Sequence, residues 1–211
     1  VSSSDVYGPV PVEALPILET CPASPHNPYA VSKAAAELLC YQWSCIEPWR
    51  IIIARPFNHI GPGQRVDFII PSIAVAIVKI KLGIRNSIIE LGNIDVTRDF
   101  TDVRDLVRAY LSLLTDGENG EIYNVCSGQD VRIRDMITKM SDIAGVQLEI
   151  VHDPARYRPS DQKHVRGSCA KILAATGWQP QIPIEQSLRN ILSDWETRER
   201  LALSGSHQTE S

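Results

Sequence analysis

Apolar and polar positions along this chain divide it into alternating helical and extended stretches. From Tyr29 to about Ile46 alanine and leucine recur among polar residues with no glycine or proline, which predicts a helix. Arg50–Ala54 is a short β-branched run ending at Pro56, and it predicts a buried strand. Pro71–Leu82 predicts a second helix with Pro71 tolerated in its first turn, and Ile88–Leu91 a short strand closed by Gly92-Asn93. Asp102 is placed to cap a helix running to Leu114, with Val103, Leu106, Val107, Tyr110 and Leu114 on one face. Strands follow at Ile122–Cys126 and Leu148–Val151, and helices at Ile133–Ala144, Ala170–Ala175 and Ile184–Arg200. The proline-rich Gly8–Pro28 reads as a loop. Alternating strands and helices of these lengths predict an α/β protein with a mainly parallel sheet and a second, less regular lobe.

Composition narrows the function classes. The 211 residues are 44% hydrophobic and 22% charged, ordinary for a globular protein, and a net charge of −4 argues against a nucleic-acid surface. No apolar run approaches the roughly 20 residues that span a bilayer. The longest, Phe68–Leu82, is broken by Pro71, Lys79 and Lys81, so no membrane association is expected. Cys21, Cys40, Cys45, Cys126 and Cys169 form no CxxC pair, and no metal site is expected. They read as reduced thiols, which places the protein in the cytoplasm. A start at Val1 in a strand-like segment suggests a fragment lacking its upstream half, and Ser204–Ser211 a disordered tail.

The chemistry concentrates in Tyr29-Ala-Val-Ser-Lys33, with a serine cluster upstream. Positions four apart share a helix face, so Tyr29 and Lys33 point the same way. A free phenol has a pKa of about 10, and a neighbouring ammonium favours the phenolate. A hydroxyl from Ser3 at a strand end would hold a substrate oxygen beside the phenol. Three such groups move a proton at a carbinol or ketone carbon while a cofactor moves a hydride. The plain alternative is a surface Tyr–Lys pair without function.

Ser2-Ser3-Ser4-Asp5-Val6-Tyr7-Gly8, the YxxxK helix and the strand after it resemble the extended short-chain dehydrogenase/reductase family (NAD-dependent epimerases/dehydratases). The resemblance covers nearly the whole chain. It implies Ser3 as the catalytic serine, with Ser4 as the adjacent alternative and substrate contact, Tyr29 as acid/base, and Lys33 as the lysine that also bonds the nicotinamide ribose. It implies a Rossmann-type parallel sheet with helices on both faces, of which this chain would be the C-terminal part, plus a smaller α/β substrate-binding lobe. On that frame residues 1–64 are the second half of the Rossmann domain and 65–101 a substrate-lobe insertion. Residues 102–127 return to the Rossmann domain, 128–203 form the C-terminal substrate lobe, and 204–211 the tail. The cofactor implied is NADP or NAD, yet no GxxGxxG occurs in the chain. The isolated 211 residues are therefore expected not to bind it measurably.

Arg55-Pro-Phe-Asn-His-Ile-Gly-Pro-Gly-Gln64 is similar to the family segment in which Asn58 would contact a substrate diphosphate and Pro56 would lie near the nicotinamide. His59 is equally well explained as a structural residue. Gly92 to Asp105 resembles the stretch shared by GDP-mannose 4,6-dehydratases and GDP-4-keto-6-deoxy-mannose reductases, with Arg98 as a diphosphate clamp. Arg158 in Arg-Pro-Ser-Asp161 matches a second clamp, and Trp178 a packing position. Arg104, Arg108 and Arg132 read as solvated or structural. The wording Asn-His-Ile-Gly-Pro-Gly-Gln favours reduction of GDP-4-keto-6-deoxy-D-mannose to GDP-D-rhamnose. A dehydratase, with Asp5 standing where that reaction uses a glutamate, is the alternative. An inactive binding module is the alternative of another class. The helix over 30–46 carries enough apolar surface to predict a homodimer.

Overall fold

In the computed structural model, residues 1–156 and 162–206 are described. In chain order the elements are α1 (Pro28–Ile46), β1 (Ile53–Pro56), β2 (Asn58–Ile60), α2 (Ile69–Lys81), β3 (Ile88–Leu91), β4 (Thr97–Asp102), α3 (Val103–Asp116), β5 (Ile122–Val125), β6 (Asp130–Arg132), α4 (Ile133–Ala144), β7 (Glu149–His152), α5 (Ala170–Thr176) and α6 (Ile184–Ser206). The protein is α/β, as the alternation predicts. The chain divides into two compact units, one of residues 1–59, 96–131 and 160–181, the other of 60–95, 132–159 and 182–211. No helix among the described residues is long and apolar enough to cross a membrane.

The first unit is built around β1, which pairs in parallel with β5, Ile53 opposite Ile122 and Pro56 opposite Val125. On the other edge of β1 the Ser2 N–H donates to the Ala54 carbonyl at 2.7 Å. Side chains alternate across a strand, and here the two faces differ in chemistry. Ala54, Tyr123 and Val125 pack with Leu106, Ala109 and Leu113 of α3, Ile172 of α5, and Trp178. Trp178 anchors this core, its Nε1 donating to the Asp105 carbonyl. The opposite face presents Arg55, Phe57, Asn124 and Cys126. Phe57 and Cys126 join Val6, Tyr7, Val10 and Ile17 in a second core. β2, β4 and β6 form a separate three-stranded sheet in the order β2-β4-β6.

Helix α1 starts where Asn27 accepts a hydrogen bond from the Ala30 N–H, with Pro28 in the first turn. It stops at Glu47, extended ahead of Pro48, a position where proline disfavours helical backbone. In the second unit, α2, α4 and α6 pack on one another. α4 buries Ile133, Met136, Ile137 and Met140, the i, i+3, i+4, i+7 stripe of an amphipathic helix, and ends at Gly145 in the left-handed region. β3 and β7 pair in parallel there.

Four features differ from the sequence expectation. The first strand lies at Ile53–Pro56 rather than Arg50–Ala54, because pairing with β5 begins only at Ile53. The buried stripe of α3 runs through Leu106, Ala109 and Leu113, whereas Val107 and Leu114 are exposed. The three-stranded sheet has no counterpart in the hydrophobic pattern. Its central strand, Thr-Arg-Asp-Phe-Thr-Asp, is almost wholly buried yet polar; Thr97 and Asp99 bond partners distant in sequence, Asp102 bonds Arg104, and the Thr101 hydroxyl has no partner among the described residues. α6 also continues through Ser204–Ser206, residues the sequence assigns to a tail.

Candidate active site

Ser3, Tyr29, Lys33 and Pro56 all lie in the first unit, on α1 and on the two adjacent extended segments. Ser3 is buried and caps a short 3-10 turn, Ser4–Tyr7, its Oγ accepting from the Asp5 N–H at 3.2 Å. That bond uses an acceptor lone pair and leaves the hydroxyl hydrogen to donate elsewhere. Lys33 Nζ donates to the Val1 carbonyl at 3.0 Å and lies 5.7 Å from the centroid of the Tyr29 ring. One ammonium thus ties the YxxxK helix to the segment that carries Ser3. The Tyr29 ring is 52% exposed, so its phenol is open to a substrate. Pro56 is buried at the end of β1, two residues beyond the carbonyl that binds Ser2.

The expected substrate contacts are less uniform. Ser4, in the 3-10 turn, is half-buried. Asn58 begins β2 and is exposed. Arg98 is half-buried on β4, with Nη1 donating to the Thr97 and Gln162 carbonyls at 2.8 and 2.7 Å. Burial raises the Asp5 carboxyl above its usual range, opposed by the positive charge of Arg98, so these two side chains sense one another. Arg158 lies outside the described residues. Lys33 thus stands beside Tyr29 and reaches the segment that carries Ser3, Arg98 acts on Asp5 of that segment, Pro56 lies buried on the neighbouring strand, and Asn58 stands exposed at the start of β2.

One turn along α1 from Lys33 begins a set of buried polar groups that spacing did not reveal. Glu37, one turn beyond Lys33 on the same helix face, accepts from Arg55 Nε at 2.8 Å and Nη2 at 2.6 Å. Both side chains are over nine-tenths buried. Arg55 lies over the ring of Tyr7, 4.6 Å from its centroid, and Tyr7 donates to Asn124 Oδ1 at 2.6 Å. Burial pulls the guanidinium down, but the bonds to Glu37 and Tyr7 outweigh it and the net displacement is upward. Burial pushes the Tyr7 phenol up to about 12 against the pull of Arg55, so it stays a neutral donor. A lone glutamate on the inward stripe of α1, at i+4 from Lys33, is the sequence signal that could have found this set.

A second group missed by sequence is Asp99, fully buried on β4. Its carboxylate accepts from the N–H and Oγ of Ser127, the N–H of Gly128 and the N–H of Gly167. Burial pushes this carboxyl up and the four donors pull it back. It holds together the two loops that carry Cys126 and Cys169. A hydrogen bond from the Cys126 thiol lowers the Cys169 thiol to about 7, and that same interaction, with burial, raises Cys126.

Comparison with known proteins places this geometry. The family described as GDP-mannose 4,6 dehydratase matches residues 1–191. The GDP-6-deoxy-D-mannose reductase of Pseudomonas aeruginosa is 57% identical over 95% of this chain and 66% of its own length. A GDP-6-deoxy-D-talose 4-dehydrogenase from Aggregatibacter actinomycetemcomitans is 29% identical over 83% of the chain and 57% of its own. Among solved structures, that of RMD from Pseudomonas aeruginosa complexed with NADPH superposes with a TM-score of 0.90 at 56% identity, covering 93% of this chain and 65% of the other. The chain therefore spans 57–66% of the length of these relatives. By the extent of the family match and by the shared Rossmann-type fold, this chain belongs to the GDP-mannose 4,6-dehydratase family of extended short-chain dehydrogenases/reductases.

Proposed function

We propose that the natural protein reduces the 4-keto group of GDP-4-keto-6-deoxy-D-mannose to give GDP-D-rhamnose, with NADPH or NADH as the reductant. The observation that carries this reading is the Tyr29–Lys33–Val1 arrangement next to Ser3, in a chain 57% identical to a GDP-6-deoxy-D-mannose reductase. Ser3 keeps its hydroxyl hydrogen for the sugar oxygen because its lone pair already accepts from Asp5. Tyr29 delivers a proton to that oxygen, turning the carbonyl into a carbinol. Lys33 spends one of its three N–H groups on Val1, which leaves two for ribose hydroxyls of a dinucleotide, and Pro56 would lie along the nicotinamide. A reduced nicotinamide bound there supplies the hydride. Asn58, Arg98 and Arg158 are assigned to the diphosphate and Ser4 to the sugar. The segments 65–101 and 128–203 are assigned to the substrate lobe.

The protein is proposed to be cytoplasmic and to act as a homodimer through α1. Val31, Leu38, Leu39, Trp43 and Ile46 all stand exposed on that helix, an apolar surface large for solvent. The direct test of function supplies the natural protein with NADPH and the 4-keto sugar, follows loss of NADPH absorbance and identifies the product by NMR. Stoichiometric formation of GDP-D-rhamnose is expected. Conversion of GDP-mannose to the 4-keto sugar without net consumption of NADPH would replace this reading with a dehydratase.

A further inference from the structure

We infer that the buried Glu37–Arg55–Tyr7 set is a positioning device that fixes the acid/base helix against the serine segment, and that turnover depends on it. The inference rests on the proposed roles of Ser3, Tyr29 and Lys33. It starts from how α1 is held against its own unit. Only Ala30, Glu37 and Ser44 are buried along the helix, seven residues apart, with Lys33, Ala34 and Cys40 half-buried between them, so its contact with its own unit is a single narrow stripe. A stripe of small side chains resists neither rotation of the helix about its axis nor sliding along it. Asn27 caps one end, and Asn119 Nδ2 donates to the Ser44 carbonyl near the other. Between them lie two charged anchors: the exposed bond from Lys33 to the Val1 carbonyl and, one turn further on, Glu37, which with its partner Arg55 is over nine-tenths buried.

The Glu37 anchor is directional. Two parallel N–H···O bonds between a guanidinium and a carboxylate fix distance and angle together. Arg55 belongs to β1, the strand that holds Ser2 through Ala54, and its guanidinium also covers Tyr7 at the end of the turn capped by Ser3. One cation therefore references both halves of the catalytic group to the same strand. Energetics argue against stability as its main role. Desolvating two charges cancels most of their attraction, and apolar residues of like volume commonly replace such pairs at no loss of stability. Geometry does the opposite: misplacing a reacting group by about 1 Å costs roughly a hundredfold in rate.

The test compares three natural-length proteins under saturating NADPH: unsubstituted, Arg55→Lys, and the double substitution Glu37→Met/Arg55→Met. Arg55→Lys keeps the charge opposite Glu37 but loses the fork. The double substitution removes both charges together and leaves neither uncompensated, so it is the variant expected to fold. For both, kcat is expected to fall by about tenfold to a hundredfold. KM for the nucleotide sugar should stay within about twofold, because no diphosphate contact is touched. The thermal midpoint of the double variant should match or exceed that of the unsubstituted protein. A well-folded double variant with full kcat overturns the inference and leaves the reductase standing. A double variant that fails to fold, beside an Arg55→Lys protein of full kcat, shows a structural pair only and also overturns it. An unsubstituted protein without turnover overturns the reductase reading and this inference with it.

Discussion

Tyr29 and Cys169 are the two side chains whose chemistry the surroundings alter or expose most directly. Tyr29→Phe keeps the ring against Lys33 and removes only the transferable proton. Turnover of the natural protein should fall by at least about a hundredfold while nucleotide-sugar affinity, measured by calorimetry, stays unchanged. A Tyr29→Phe protein of near-normal rate would remove Tyr29 from the mechanism. Cys169 titrates at about 7 because the Cys126 thiol donates to it. The reactive form is the thiolate, so alkylation of Cys169 should rise with pH to half its maximum near pH 7, well below an ordinary thiol at about 8.5. Peptide mapping after iodoacetamide treatment across this range would show it, with buried Cys126 protected. Alkylation of Cys169 no earlier than that of exposed Cys45 would refute the donor–acceptor arrangement. The juxtaposition of Tyr29 and Lys33 was legible in sequence because helical spacing alone puts the two on one face. Arg55 and Asp99 were not. Whether a charge is buried depends on partners 18 to 68 positions away, and no local pattern records them.

Among the elements, the 167–169 loop packs closely on the β1–β2 junction. A Cβ on Gly167 would stand 2.6 Å from Phe57 Cζ and 2.7 Å from Cys126 Sγ, closer than carbon atoms approach. Phe57 lies between Pro56 and Asn58, so Gly167→Ala would push the segment that carries both. The expected loss is about 1–3 kcal/mol, read as a lower urea midpoint, and NADPH affinity should fall with it. Unchanged stability would mean that the loop has room to retreat. Helices were the readable elements: α2 and α4 appear within a residue or two of where periodicity puts them. Strand β4 was unreadable because the alternation that betrays a strand needs one apolar face, and Thr97, Asp99, Thr101 and Asp102 are buried with their polar groups.

For the whole molecule, the exposed apolar side of α1 sets the expectation of pairing. Light scattering of the natural protein at micromolar concentration should give twice the monomer mass, and Leu38→Glu with Leu39→Glu should halve it without unfolding the chain. A monomer in both cases would assign that surface to some other cover. The path of the backbone has a separate consequence. It passes between the two units five times, at 59/60, 95/96, 131/132, 159/160 and 181/182. Ile17 reaches Gly167 in an isolated bridge, and β1 waits for β5 about seventy positions later. A ribosome emitting this chain cannot finish the first unit before much of the second has emerged. The first unit lacks its last segment until residue 181 has emerged, when two of the three segments of the second, 60–95 and 132–159, have already been synthesised. Nascent chains stopped at residue 159 should therefore leave Cys126 open to alkylation, and chains extended past 181 should close it.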